Sequence, residues 1–545
     1  MQITAVVLVL LLAVVVSGAL TRMNPVPLPL PLVQIALGSF IASVMDLSIT
    51  LDPDVFFLLF LPPLLFLDGW RIPKQGLLRD KSMILELALG LVIFTVAGVG
   101  FLVHLMLPSM PLAVAFALGA AISPTDPVAF SAIANRVPMP ARLMHILEGE
   151  SLLNDASGLL CMGMAVSFLS TGSFSLRETV ENFLWLVGGG SLVGVAATLG
   201  VTKLKNLISK RFGEEAGQQI LISLLIPFGA YLSAEALKCS GILAAVFAGI
   251  TMSYVEQSGQ ALAVTRVRRT TVWDTVQFVA NGVIFVLLGE QLPDIVAGAA
   301  KVVRETGHGQ VYWLAVYVLA ICLALVVLRF VWVWVALQWT VYRSSRVGAR
   351  AENPSLRLVA VTSLAGVRGA VTLGAVLSLP LLLADGNSFP ERDLTIFLAS
   401  GVIIASLIVA AIGLPVLLNG LVLPADSTYR QQEDAARAQA AAAAMDAIMS
   451  EQTVAARGRD APIYMNAGSH LLEFYKQRLD VSGKTGEVAE ALQEEEKIDT
   501  KLRLAALRAE RKVYYRLLRD HAVTDEIAGK LVREVDLQEA RLLSE

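Results

Sequence analysis

The feature that most limits the fold of this chain is a series of thirteen long apolar segments in its first 423 residues. About 20 mostly apolar residues are enough for a helix to cross the hydrocarbon core of a bilayer. The chain is therefore predicted to be an all-α polytopic membrane protein with about 13 transmembrane helices. The segments lie at roughly 2–21, 27–45, 54–70, 82–107, 110–134, 143–170, 181–201, 217–236, 240–255, 272–292, 312–341, 357–383 and 394–421.

Charged residues are concentrated after the last apolar segment. Only 16% of the chain is charged, whereas an ordinary soluble domain carries about 25%. Of the 89 Lys, Arg, Asp and Glu residues, 40 lie in the last 122 positions. This predicts a transmembrane domain at 1–423 and a helical cytosolic tail at 424–545. The basic residues form short clusters and no stripe with interleaved aromatics, so no nucleic-acid partner is expected.

The loop charges predict the orientation of the spans. Eighteen Lys and Arg residues lie in loops that follow odd-numbered spans, and five lie in the other loops. Because cytoplasmic loops carry the excess of Lys and Arg, the first set is expected in the cytoplasm. An odd number of spans then places the N-terminus outside and the tail inside. The first segment has no basic residue before Arg22 and is interpreted as a retained span, not as a signal peptide.

The fifth segment contains polar residues at a predicted break. In AAISPTDPVAF, Thr125 and Asp126 stand between Pro124 and Pro127. Proline removes a backbone donor and clashes with the preceding turn, so the helix should be interrupted here. Irregular backbone at membrane depth is tolerated where it lines a cavity or is covered by protein. The stretch is therefore a candidate cation site, with a simple structural kink as the alternative.

The sixth segment carries the densest group of polar side chains, in GESLLNDASG. Glu150 and Asn154 share one helix face, Ser151 continues the polar face, and Asp155 lies about 100° further round. From a start near Leu143, Asp155 is about 18 Å along the axis, close to the bilayer centre. Ionisable groups at this depth are candidates for function. The alternative is polar contact between neighbouring helices.

Two arginines complete the set of buried charges. Arg329 lies inside the apolar run LALVVLRFVWVWV, and Arg368 lies among glycines in GVRGAVTLG. A buried guanidinium must meet a carboxylate or backbone carbonyls, because it keeps its proton. Glu150 suits one of the two, and Asp126 or the C-terminal end of a half-helix suits the other. The breaks in spans 5 and 12 are seven spans apart, which fits inverted repeats.

Four motifs together resemble the bacterial NhaP-type and eukaryotic NHE-type sodium/proton exchangers. They are SPTDPVA, GESLLNDASG and GVRGAVTLG, with FLPPLLFLDGW in the third span. The resemblance covers spans 1 to 13 and implies an NhaA/NapA-like antiporter fold with two crossing discontinuous helices. It also implies a homodimer in the bacterial inner membrane. Spans 1–3 and 8–10 would form its dimerisation part, and spans 4–6 and 11–13 an elevator-like core.

The resemblance also assigns roles to residues. Asp155 would bind the cation or the proton, Thr125 and Asp126 would lie on the unwound crossing, and Asn154 would support them. Asp155 and Thr125 are the expected Na⁺ ligands, and Glu150 would pair with Arg368 or Arg329. No cofactor is implied beyond the transported Na⁺ and H⁺.

The expected function is exchange of cytoplasmic Na⁺, or of Li⁺ or K⁺, for external H⁺. With Asn154 beside Asp155, the core has one titrating charge there, which predicts electroneutral one-for-one exchange. A K⁺-selective antiporter in pH and K⁺ homeostasis is an alternative, and a cation channel or uniporter is another. An intramembrane enzyme is disfavoured, because GESLL lacks the second glycine of GxSxG and no HExxH motif is present.

Overall fold

A computed structural model describes most of the chain and divides it into two compact units, Met1–Val422 and Leu423–Glu545. The residues described are 2–23, 28–45, 53–72, 74, 76, 80–126, 130, 141–171, 176–212, 215–257, 263–305, 312–346, 355–383, 388–418, 427–455, 461–482, 487–520 and 525–544. Pro127, from the predicted break in span 5, lies outside them. Nearly all of the described residues are helical.

Fourteen helices are described in the first unit, and each of the thirteen predicted segments contains helix. They are α1 (Gln2–Met23), α2 (Leu30–Met45), α3 (Pro53–Arg71), α4 (Lys81–Met106), α5 (Leu112–Ile122), α6 (Ala141–Thr171), α7 (Leu176–Phe212), α8 (Ala216–Ala236), α9 (Gly241–Gln257), α10 (Ala263–Glu305), α11 (Tyr312–Arg346), α12 (Leu356–Leu364), α13 (Ala370–Leu377) and α14 (Arg392–Leu418).

Within the described residues, eight helices are long and apolar enough to cross a membrane. Three more, in α2, α5 and α9, are apolar but shorter. The lengths and compositions of these helices are those of a multi-pass membrane protein. The count of thirteen spans stays a prediction, because α3 and the pair α12 and α13 belong to neither group.

The helices pack closely where small residues meet the backbone of a neighbour. On α3, Gly69 lies against the carbonyl of Val246 in α9, and Gly249 in α9 lies against the carbonyl of Phe66. A side chain at either position would collide with these carbonyls. Small residues allow this close approach of membrane helices, where no hydrophobic effect drives helices together.

Two interruptions of the helices meet inside the first unit. Helix α5 ends at Ile122 and residues 123–126 are not helical, while residues 365–369 separate α12 from α13. The backbone N–H of Asp126 donates to the carbonyl of Val367 at 2.8 Å. Pro124 and the glycines at 366 and 369 explain why regular helix stops at these places. The interruptions therefore form one shared region of irregular backbone.

A π-helical segment, Glu86–Leu91, interrupts the regular pattern of α4. The hydroxyl of Ser157 on α6 donates to the carbonyl of Ala88 in this segment at 2.6 Å. Single π-helical turns are frequent at functional sites. This contact fixes α6 two residues beyond Asp155.

In the described part of the second unit, four helices pack in pairs. These are α15 (Ser427–Ala455) with α16 (Ala461–Ser482), and α17 (Glu487–Arg519) with α18 (Asp525–Ser544). In the second pair, the guanidinium of Arg511 bonds Asp536 at 2.7 Å and also bonds Glu539. The hydrogen bond from Arg511 lowers the pKa of the Glu539 carboxyl. The described residues of this unit are thus helical, and its cytosolic location stays a prediction.

Candidate functional site

The polar residues of the broken region line a small cavity in the first unit. Its volume is about 30 Å³, and its walls come from α3, the break after α5, α6, α10 and the start of α13. By the same measure one water needs about 10–15 Å³, so the space holds about two water molecules. The polar side chains on its walls are Asp68, Thr125, Asp126, Ser151, Asp155, Asn281 and Thr372.

Asp155 presents its carboxylate to this cavity from α6. The residue is 5% exposed and is the twelfth of the 26 residues in the apolar span Met144–Leu169, near its middle. Its side chain makes no hydrogen bond within the part of the chain that the structure describes. A buried polar group without a partner is costly, so the cavity contents must solvate this carboxylate.

Thr125 is held in place by the side chains of α6. Ser151 donates its hydroxyl to the Thr125 carbonyl at 2.8 Å, and Asn154 donates its Nδ2 to the Thr125 hydroxyl at 2.9 Å. The Thr125 hydroxyl itself donates to Glu150 Oε1 at 3.3 Å. The hydroxyl therefore keeps one lone pair for a ligand. Asn154 acts here as the clamp that joins α6 to the broken backbone.

Glu150 pairs with Arg329, which answers the question left open by the sequence. Arg329 Nη1 lies 2.5 Å from Glu150 Oε1, and Nη2 lies 2.7 Å from Oε2. Both side chains are almost completely buried, and Arg329 Nε also donates to the Thr362 carbonyl at 3.0 Å. Such bidentate pairing satisfies both charges at once. The pair ties together α6, α11 and α12.

Arg368 binds backbone carbonyls. Its Nε donates to the carbonyl of Ile122 at 2.9 Å, and its Nη1 donates to the carbonyl of Gly366. Ile122 is the last residue of α5, where carbonyls have no partner in the helix and the helix dipole is negative. The C-terminal end of a half-helix was one of the two partners that the sequence suggested for the arginine that does not pair with Glu150. Neither arginine lines the cavity.

Asp126 lies where the two interruptions meet. Its Oδ2 accepts a hydrogen bond of 3.4 Å from the N–H of Ala370, the first residue of α13. The partial positive charge of a helix N-terminus compensates a carboxylate placed there. Gly369 has no room for a side chain, because a Cβ would overlap the Asp126 carboxylate.

The structure adds three polar residues to the cavity that were not candidates from the sequence, namely Asp68, Asn281 and Thr372 of α13. Asp68 belongs to the FLPPLLFLDGW motif in α3, and Asn281 lies in the middle of α10. Asp68 could have been selected from the sequence because it is a carboxylate inside a predicted span, and Asn281 because it is an amide in an apolar run. In the described residues, no three His, Cys, Asp or Glu side chains converge as a metal site.

Comparison with known proteins identifies the family of the chain. The family described as "Sodium/hydrogen exchanger, transmembrane" matches residues 7–420. The chain belongs to this family. The resemblance drawn from the four motifs is confirmed, and so is the interpretation as an ion-transporting multi-pass membrane protein.

Individual relatives give the same family. The chain is 37% identical to an uncharacterized Na⁺/H⁺ exchanger, YjcE, of Escherichia coli, over all of both chains. It is 40% identical to the sodium, potassium, lithium and rubidium/H⁺ antiporter of Bacillus subtilis, over 76% of this chain and 62% of that protein.

A solved structure supports the fold. The sodium proton antiporter MjNhaP1 from Methanocaldococcus jannaschii matches with a TM-score of 0.55 and 18% identity. The match covers 77% of this chain and 99% of that one. At this identity the likeness shows the fold alone, which is that of an NhaP-type antiporter.

Proposed function

We propose that the chain exchanges a monovalent cation, Na⁺ or alternatively K⁺ or Li⁺, for H⁺ at the cavity described above. The observation that carries the proposal is the Asp155 carboxylate, which faces this cavity near the middle of its span and has no hydrogen bond among the described residues. An ionisable residue at this depth is a transport-site candidate. Thr125, Asp126 and Ser151 supply further oxygen atoms on the same wall.

The mechanism follows from competition for one carboxylate. Asp155 binds either the proton or the cation, because a bound cation needs the charge that protonation removes. Either bound form is neutral, whereas an unpaired carboxylate is costly to move through a low-dielectric environment. Asp126 is compensated by the start of α13, and Glu150 is compensated by Arg329. The core therefore carries one uncompensated acidic group, which supports one-for-one electroneutral exchange.

The position of the cavity supports alternating access by movement of two parts. Its walls include α3 and α10, and also α6, α13 and the break after α5. The first pair belongs to the proposed dimerisation part and the other three to the proposed core. An elevator-like displacement of the core would expose Asp155 to each side in turn. A homodimer, thirteen spans with crossing inverted repeats, an external N-terminus and a cytoplasmic tail complete the proposal.

Which cation is transported, Na⁺, K⁺ or Li⁺, is the part of the proposal that needs a direct test. The Bacillus subtilis relative is described as transporting sodium, potassium, lithium and rubidium. This supports testing K⁺ beside Na⁺ and Li⁺. A channel or uniporter would use the same oxygen-lined cavity but needs no titrating carboxylate. The position of the titratable Asp155 carboxylate on this cavity favours the antiporter.

The test is the response of a pH-gradient dye in everted vesicles from cells that lack other cation/proton antiporters. Addition of Na⁺, Li⁺ or K⁺ should restore the dye fluorescence in vesicles with the wild-type chain. Asp155→Asn should abolish this response, because the amide cannot exchange a proton for a cation. A folded Asp155→Asn protein with wild-type exchange would contradict the site. Asn182→Ala, an exposed position on α7, is the matched control.

A further inference from the structure

We propose that the side-chain amide of Asn281 is a ligand of the transported cation and helps to determine which cation is preferred. Asn281 lies on α10 and lines the same cavity as Asp155 of α6. The inference rests on the proposed function and adds a neutral ligand to it. It assigns a role in selectivity to the wall formed by α3 and α10.

The depth of Asn281 matches that of Asp155. Asn281 is the seventeenth of the 35 residues in the span Thr265–Ala299, and Asp155 is the twelfth of 26 in its own span. Both positions are therefore close to the middle of long apolar helices. Both residues also line the same cavity, so a cation bound by Asp155 would lie in the space that Asn281 borders.

The surroundings of Asn281 explain why its amide needs a partner. The residues after Gly282 are the buried apolar run VIFVLL, and the side-chain oxygen of Gln277, one turn before Asn281 on α10, accepts a hydrogen bond from Arg71 instead. Its side chain is half-buried and makes no hydrogen bond within the described residues. A residue that only joins two helices would bond to the neighbouring helix, as Ser39 of α2 does at 2.8 Å with the Gly289 carbonyl of α10. The partner of the amide must therefore be a ligand or water in the cavity.

The small size of the cavity requires protein oxygen atoms as cation ligands, and the Asn281 amide can supply one. A space of about 30 Å³ cannot hold a cation with its complete hydration shell. The protein must therefore replace most of the lost water with its own oxygen atoms, which are the ligands that hard cations prefer. The Thr125 hydroxyl, with two hydrogen bonds, has one lone pair left for a cation. Asn281 adds a further neutral oxygen from α10.

The neutrality of the amide determines what it changes. The number and strength of neutral oxygen ligands influence the choice between Na⁺ and K⁺ in other cation sites. An added carboxylate would change the charge that moves, but an amide does not titrate. Removal of the Asn281 amide is therefore expected to change cation preference and affinity without changing the number of protons exchanged.

The experiment compares Asn281→Ala with the wild type in everted vesicles, with Na⁺, Li⁺ and K⁺ as the probes. Loss of one ligand should raise the half-saturating concentration of the preferred cation roughly three- to tenfold. The ratio between the Na⁺ and K⁺ values should also change. Thr275→Val is the matched control, because Thr275 is exposed on the same helix and bonds only its own helix backbone. Its values should equal those of the wild type.

A second measurement covers the case in which the alanine variant folds poorly. Asn281→Ser keeps a small neutral oxygen and should give intermediate values, and stabilisation of the purified protein by each cation reports binding without transport. Unchanged half-saturating concentrations and ratios in a folded Asn281→Ala or Asn281→Ser protein overturn the assignment of Asn281 alone. Absence of cation-dependent proton flux in the wild type overturns the proposed function and this inference together.

Discussion

At the scale of single residues, four of the charged side chains at or near the cavity have a distinct means of compensation. Glu150 and Arg329 neutralise each other, Arg368 binds the carbonyls at the end of α5, and Asp126 lies at the start of α13. Asp155 faces the cavity without a hydrogen bond from the described residues, and Asp68 of α3 adds a second carboxylate to the cavity wall. The structure thus separates the charges that hold the fold from the carboxylates that are available to ions.

The pairing of Glu150 predicts a specific pattern of stability. Glu150→Ala should destabilise the protein by about 3–5 kcal/mol, because it leaves the Arg329 guanidinium buried without its partner. Combining Glu150→Leu with Arg329→Met should recover much of the loss, since both charges are then removed. The measurement is the apparent melting temperature of detergent-solubilised protein.

Arg368 provides the control for this pair. Combining Glu150→Leu with Arg368→Met should give no recovery, because Arg368 binds Ile122 and Gly366 and not Glu150. Energetic coupling is expected only between residues in contact. Equal recovery with either arginine would show that the pairing in solution differs from the one described.

At the scale of elements, the breaks in two spans were predictable because proline and glycine act locally. Pro124 and the glycines around Arg368 mark both interruptions in the sequence alone. Which arginine meets Glu150 was not predictable, since both sit in apolar runs and the choice depends on how α11 and α12 pack. Asp68 and Asn281 were missed for the same reason: a single polar residue in a span does not reveal which way it faces.

The contact between the two breaks can be tested at Gly369. A Cβ there would overlap the Asp126 carboxylate, so Gly369→Ala should displace Asp126 or separate the breaks. Overpacking of this kind costs about 1–3 kcal/mol, and exchange activity should fall together with stability. Melting temperature and vesicle exchange are the two readouts.

Gly163 is the matched control for this substitution. It lies in α6, and a Cβ at this position would meet nothing within 4 Å. Gly163→Ala should therefore leave stability unchanged or raise it by up to about 1 kcal/mol, as alanine favours helix over glycine. Similar losses in both variants would mean that the effect at Gly369 comes from helix propensity and not from Asp126.

At the scale of the whole molecule, the apolar pattern was sufficient to predict the class of protein and the positions of its helices in the sequence. Each predicted span contains helix, because a bilayer requires long apolar segments and these are visible without tertiary structure. The division between core and dimerisation parts came from the family resemblance and stays a prediction, as does the orientation. The cavity brings together residues from segments as far apart as α3 and α13, which no local pattern encodes.

Electroneutral exchange is the prediction that depends on the whole transport cycle. If one proton replaces one monovalent cation at Asp155, no net charge crosses the membrane, and the rate should not depend on membrane potential. The potential acts with about 2.3 kcal/mol per elementary charge and 100 mV, so even one uncompensated charge would be detected. Exchange should be measured in proteoliposomes at fixed ion and pH gradients while the potential is varied. A thiocyanate gradient is preferable to a potassium and valinomycin couple, because K⁺ is itself a candidate substrate.

Asn154→Asp tests the reason for this neutrality. The substitution places a second carboxylate beside Asp155 and removes the amide hydrogen bond to the Thr125 hydroxyl. If the absence of a second titrating charge makes the exchange neutral, the variant should become sensitive to potential, although it will also be less stable. A wild-type rate that changes with potential would instead mean that another carboxylate at the cavity, with Asp68 the nearest candidate outside the core, exchanges a proton in the cycle.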